Sequence, residues 1–375
     1  MAAQRDLRID ALRGTAALGV LALHTQNAWY LGVGADIDPA TRLRLLDHWL
    51  GLASVPVTFG WLGVNLFFVL SGLCIHHWLL SARVSGREFV YGAYLKRRFW
   101  RLYPAYVAAI VLSLFLLALA EWGRLALQGA HELSGYASGV VHQTLRYLTF
   151  THTLTRDTIA GYNPPLYTLA TEVHFYLLYP LVLLAFARWG ARRTLAASVL
   201  LSAVLLAGAY STGDLAIIRP VEESALVRWP EWIVGCVIAE GWHRDRSTPG
   251  WPARRATIVA AACFSIGLYL LLVHRFVLNA AWTFGIAAAI VPYLSRPGRD
   301  SSLLERHLAA VGLFSYSLYL VHWPVLRLAA LALPPERDVL AAHLAAYALL
   351  AVLIVWGARL FFVAVERPFL YGRER

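Results

Sequence analysis

Charge is scarce in this chain. Only 15% of its 375 residues are Asp, Glu, Lys or Arg, against 59% hydrophobic residues and a mean hydropathy of +0.57. Soluble domains carry about 25% charge, so an ordinary water-exposed fold is excluded. Lysine is scarcer still: Lys96 stands alone beside 32 arginines. No Walker A loop is present, which excludes that route to nucleotide phosphates. Cysteine is limited to Cys74, Cys236 and Cys263, at spacings that fit neither a metal site nor a disulfide framework. Each is expected to be a small packing residue, and no metal is expected. No internal repeat, low-complexity tract or appended soluble segment interrupts the chain, which reads as a single integral-membrane domain over 1–375.

Apolar runs fill the sequence instead. Ten approach the roughly 20 residues that cross a bilayer: 11–30, 57–79, 102–120, 165–187, 195–210, 228–243, 256–273, 279–294, 309–331 and 340–365. The expected fold is all-α and polytopic, with about ten transmembrane helices in a lipid bilayer. Placing both termini in the cytoplasm puts 23 of the 33 Lys and Arg residues on inner stretches and 10 on outer ones. That is the positive-inside pattern. The net charge of +11 therefore reflects topology, and no nucleic-acid partner is implied. Arg5 and Arg8 precede the first apolar run, which shows no small-residue cleavage site and reads as an uncleaved helix. Two outer loops are long: 31–56, with Asp36, Asp38 and Asp47, and 121–164, whose Trp122, Tyr136, Tyr147, Phe150 and Tyr162 would suit either a lid or acceptor-binding loop or a plain connector with interfacial aromatics.

The first run reads RIDALRGTAALGVLALH from Arg8 to His24. Arg13 and His24 are eleven positions apart, almost three helical turns, so they share a face about 16 Å apart along the axis. Arg13 falls at the cytoplasmic mouth. His24 falls about halfway through a hydrocarbon core of roughly 30 Å, where a polar group is costly and normally faces an interior cavity. After the second run comes YLKRRFWRLYPAY. Arg98 and Arg101 share a helical face, with Lys96 and Arg97 beside them, on the same side as Arg13. Guanidiniums grouped with an ammonium make a phosphate clamp. Glu172 is an acid inside an apolar run, with Thr168 and Tyr176 on its face, and is the candidate to orient a histidine base. His322 is deep and close to Tyr316 and Tyr319. Arg228 and Glu231 are spaced to pair. His76 and His77 are adjacent and diverge. Ser71 and Gly72 fit close helix packing.

These segments, in this order, resemble the integral-membrane acyltransferase-3 family, the bacterial O-acyltransferases of surface sugars and some antibiotics. The resemblance runs through RIDALRG with His24, GVNLFFVLSGLCI, RRFWRLYPAY, YTLATEVHFYLLYP, FSYSLYLVHWP and VERPF, nearly the whole chain. Tyr167 and Thr168 stand where the family usually has Trp-Ser, and no fused SGNH hydrolase-like segment is present.

The resemblance implies transfer of an acyl group, often acetyl, from cytoplasmic acyl-CoA (acetyl-CoA in the first instance) to a hydroxyl of a sugar or similar acceptor, in the bacterial inner membrane. It implies His24 as the catalytic residue and Arg13, Arg98 and Arg101, flanked by Lys96, as the donor-binding cations. Ser71, Tyr167, Tyr316 and His322 are then expected on the substrate side. Neutral histidine suits the abstraction of a hydroxyl proton. A transporter or flippase of a lipid-linked sugar also fits intramembrane charge, although the two halves show no symmetry of the kind common in transporters.

Overall fold

The computed structural model describes residues 6–31, 56–128, 133–159, 161–244, 253–274, 279–295, 301–332 and 340–371. The described residues are helical throughout, with no strand. In chain order the helices are α1 (Leu7–Leu31), α2 (Leu62–Val84), α3 (Tyr91–Gln128), α4 (Leu133–Leu148), α5 (Arg156–Ile159), α6 (Tyr167–Trp189), α7 (Ala191–Ser211), α8 (Leu215–Glu222), α9 (Ala225–Arg244), α10 (Ala253–His274), α11 (Asn279–Leu294), α12 (Leu303–Gly312), α13 (Ser315–Ala332), α14 (Leu340–Phe361) and α15 (Arg367–Tyr371). A five-residue π-helical segment, Phe362–Glu366, joins α14 to α15. Among the described residues six helices are long and apolar enough to cross a bilayer, and α12 with α13, bent by 71°, is either a broken seventh span or a re-entrant pair. α1 and α9 carry Asp10, Arg13, Arg228 and Glu231 within their apolar runs, and α11 is short at 16 residues.

Small residues set how closely the inner helices approach, because lipid gives no hydrophobic drive between them and backbone contact supplies the packing. A Cβ on Gly312 would stand 1.8 Å from the Asp10 carbonyl oxygen, and one on Gly14 would stand 1.9 Å from that of Leu308. α1 and α12 are therefore joined backbone to backbone at two points. Gly72 and Gly235 do the same for α2 and α9, with the Trp232 and Val69 carbonyls each 2.0 Å from the built Cβ. Ser71 and Gly72 thus divide their tasks: the glycine packs, and the serine turns to α6. Arg8 donates to the Leu294 carbonyl at 2.9 Å, tying the start of α1 to the last turn of α11.

Gly312→Ala is expected to destabilise the protein. The new methyl cannot fit without separating α1 from α12, and overpacking of this kind costs about 1–3 kcal/mol. The detergent-solubilised variant should lose several degrees of thermal midpoint relative to wild type in a scanning fluorescence melt. An unchanged midpoint would show that this crossing is not tight.

Segment 121–164 differs from the outer loop expected there. α3 runs 38 residues, about 57 Å at 1.5 Å per residue, well beyond a 30 Å core. α4 then occupies 16 residues of the remainder. Tyr147 and Tyr162 are fully or nearly buried, not presented on a lid. They stack at 4.8 Å, and Tyr147 also stacks on His152 at 4.1 Å. Tyr106 donates to the Tyr147 carbonyl at 2.9 Å, so these aromatics fasten the segment onto α3. The side chains of Trp122 and Tyr136, and the whole of 32–55 with Asp36, Asp38 and Asp47, lie outside the described residues. Pro164–Leu166 form the 3₁₀ turn that opens α6; Asn163 makes no cap there and instead donates to Ser113 Oγ at 3.0 Å.

Candidate active site

A cavity of about 420 Å³ opens among α1, α2, α3, α6, α13 and the π-helical segment. Arg13, Arg98, Arg101, Ser71, Glu172 and Tyr316 all line it. They come from five helices, and 303 positions separate Arg13 from Tyr316 in the sequence. The bend between α12 and α13 is what turns Ser315, Tyr316 and Tyr319 into the same space.

The arginines are held differently. Arg13 bonds Asp10 at 3.2 Å and reaches Cys74 Sγ at 3.4 Å. Arg98 lies over the rings of Tyr94 and Tyr176, 5.7 and 5.8 Å from their centroids, and its buried Nε has no hydrogen-bond partner among the described residues. Neither Arg98 nor Arg101 has an ion-pair partner among the described residues. Arg98 is half-buried and Arg101 is exposed, and neither is bonded to the carboxylates of Asp10, Glu172 or Glu366 that line the same cavity. Glu172, in the same cavity, accepts from Ser71 Oγ at 2.7 Å and from Tyr176 Oη at 2.5 Å. Tyr316 lines the cavity with its ring and donates its hydroxyl to the Leu102 carbonyl at 2.9 Å. Lys96 is exposed and stands apart from this group.

The histidines lie beyond Tyr319, and neither lines the cavity. The His24 ring is 5.2 Å from that of His322 and 5.0 Å, edge-on, from that of Trp323. His322 in turn is 5.5 Å from Tyr319, which lines the cavity and is fixed by bonds with Thr168 (2.8 Å) and the Pro165 carbonyl (2.8 Å). The site thus has an arginine chamber and a histidine pair, with Tyr319 between them. The expectation that Glu172 orients the histidine is corrected: its carboxylate is bonded to Ser71 and Tyr176 and not to His24. Tyr167 is likewise not a cavity residue; it faces the charges of Glu223 and Arg228. Arg228 does pair with Glu231, at 2.8 Å, and lies 3.6 Å from Glu223. His76 bonds Tyr179 and Glu240, whereas His77 stacks on Trp242.

Several cavity residues escape sequence reasoning. Cys74 is a contact of Arg13 and not mere packing. Asp10 sits one turn before Arg13, and its i,i+3 spacing is the signal that could have found it. Glu366, inside VERPF, is buried, bonded to Ser317 and lines the cavity.

The described helices, with an internal cavity lined by both arginines and carboxylates, define a helical membrane protein. A family model described as an acyltransferase domain matches residues 6–362, and the chain belongs to that acyltransferase-3 family. It is 24% identical to the peptidoglycan O-acetyltransferase OatA of Listeria monocytogenes, over 85% of this chain and 49% of that protein. It is 27% identical to the acyltransferase MdmB of Streptomyces mycarofaciens, over 98% of this chain and 92% of that one. It is 24% identical to the O-acetyltransferase OatA of Staphylococcus aureus, over 85% of this chain and 50% of that protein. The chain therefore spans about half the length of the two OatA proteins. No solved structure matches it.

Proposed function

We propose that the chain is a multi-pass O-acyltransferase of the bacterial inner membrane. It moves an acyl group, acetyl in the first instance, from cytoplasmic acyl-CoA to a hydroxyl of a sugar or similar acceptor. One observation carries the reading: Arg98 and Arg101, without ion-pair partners among the described residues, share a cavity with Arg13, and a histidine pair stands behind one wall of that cavity. The names of the relatives, peptidoglycan O-acetyltransferase and acyltransferase, support the same class.

The chemistry divides between the arginine chamber and the histidine pair. The phosphates of coenzyme A are polyanionic and pair with guanidinium forks. The pantetheine arm is long and mostly uncharged, which suits the apolar wall of Phe67, Phe68 and Val64. His24 acts as general base: it takes the acceptor hydroxyl proton as the oxygen attacks the thioester carbonyl, the C–S bond breaks, and CoA leaves as thiolate. Glu172 stays in the arginine chamber, holding Ser71 and Tyr176 in place.

This reading takes all ten apolar stretches as spans and puts both termini on the arginine-rich, cytoplasmic side. In a protein with Cys74, Cys236 and Cys263 replaced by alanine, Ser85→Cys and Leu154→Cys are both exposed positions. An impermeant maleimide applied to intact cells should label Leu154→Cys and leave Ser85→Cys until the membrane is opened. Equal labelling of both from outside would contradict the topology.

A further inference from the structure

His322 carries a detail that its place beside His24 does not by itself require. Its Nδ1 is 2.7 Å from the Tyr319 carbonyl oxygen and 3.2 Å from that of Leu318. A carbonyl only accepts, so the proton of the neutral ring is on Nδ1 and the lone pair is on Nε2. Nε2 is buried and has no hydrogen-bond partner among the described residues, and the whole residue is 1% exposed. Leaving a buried acceptor unfilled costs about 1–3 kcal/mol, and such groups are retained where they have a task. The helix backbone has thus fixed the tautomer of His322 and pointed its basic nitrogen into the interior. The neighbouring ring is His24, 5.2 Å away and tilted by 32°.

We propose that His322 is the second member of a two-imidazole proton relay and acts through His24. The proposal rests on the acyl-transfer reading above. The acceptor O–H bond breaks as its oxygen bonds to the thioester carbon, and the proton goes to a ring nitrogen of His24. Nε2 of His322 has no direct hydrogen bond to His24, so the opposite ring nitrogen of His24 gives up its proton to Nε2 through one intervening water. His322 is then a transient imidazolium whose Nδ1–H still faces two carbonyl oxygens, which offset part of the cost of a buried charge. The C–S bond breaks, the thiolate departs, and the proton returns along the same pair to leave CoA as the thiol. Acyl-S-CoA and R–OH become acyl-OR and HS-CoA, with no further reactant. His322 is a positioning residue in this scheme, because it touches His24 and not the reacting atoms.

The test uses the full-length protein in inverted membrane vesicles, with acetyl-CoA as donor and the acceptor native to those membranes. CoA release is followed with a thiol reagent, and donor affinity separately with acetyl-CoA. His322→Gln keeps a side chain of related length but has no imidazole to carry a proton. The relay predicts a roughly 10- to 100-fold lower kcat, with the KM for acetyl-CoA within about twofold of wild type. It also predicts a bowed proton inventory in mixed H₂O and D₂O for wild type, from two protons in flight, which becomes linear in the variant. A folded His322→Gln protein with normal kcat overturns the relay while leaving His24 as the base. Where that variant does not fold, the wild-type inventory decides alone, and a linear one overturns the relay. A wild type that releases no CoA from acetyl-CoA overturns the acyl-transfer reading and the relay with it.

Discussion

His24→Gln is expected to fold, insert and bind acetyl-CoA as wild type does, and to turn over about 10²–10⁴-fold more slowly, the range of a general-base contribution. The reason lies in where His24 stands. It is on α1 about three turns beyond Arg13, a separation of about 16 Å along one unbroken helix. Its ring contacts include His322 and Trp323, and it lines no part of the arginine cavity. Replacing it therefore leaves every donor contact in place. A packing role predicts different damage, with a lower thermal midpoint and partly retained turnover. Kinetics and a melt on the same purified sample separate the two. Near-normal turnover in a well-folded variant would remove His24 from the base role, and His322, with its lone pair already fixed on Nε2, would be the next residue to replace.

Loss of the cavity arginines should act on binding and not on chemistry. Removing a charge-assisted bond costs about 1.5–3 kcal/mol, so Arg98→Ala and Arg101→Ala should each weaken acetyl-CoA binding by roughly 10- to 100-fold. Titration at increasing salt should weaken wild-type binding and flatten toward the variants, since screening acts on the same charges. Arg13→Ala differs in one respect. Arg13 is bonded to Asp10, so its removal leaves a buried carboxylate without its cation and should also lower stability. Lys96→Ala is the control. Lys96 is exposed and outside the cavity, and its replacement should change affinity by no more than about twofold. Unchanged affinity in Arg98→Ala and Arg101→Ala would make both arginines topology anchors only.

How much of this is legible in the sequence depends on whether one helix or several decide the matter. Arg13 and His24 lie on one continuous helix, so spacing alone places them on a common face. Arg98 and Arg101, three residues apart, are readable for the same reason, and both do line the cavity. Sequence reasoning misplaces Glu172 because its partner is chosen by tertiary packing: Ser71 comes from α2, 101 positions away, and a sequence contains no distance between them. Glu366 escapes notice for a local reason. The π-helical segment Phe362–Glu366 adds a residue to the turn and shifts the phase of the helix there, so a regular 3.6-residue periodicity misplaces that side chain. Segment 121–164 resembles an outer loop in its mixed composition. Its Tyr147, Phe150 and Tyr162 make internal contacts with one another and with α3, which composition does not distinguish from an exposed lid. The unfilled Nε2 of His322 is likewise hidden, since it depends on a ring orientation set by the Tyr319 carbonyl.

The most direct measurement is free CoA released from acetyl-CoA by inverted membrane vesicles containing the protein, compared with vesicles containing His24→Gln at equal protein level. The account predicts steady, acceptor-dependent release by wild type and a near-background rate in the variant, while both bind acetyl-CoA equally well. A protein that only transports a lipid-linked sugar would release no CoA in either sample, and that result would contradict the account at its centre.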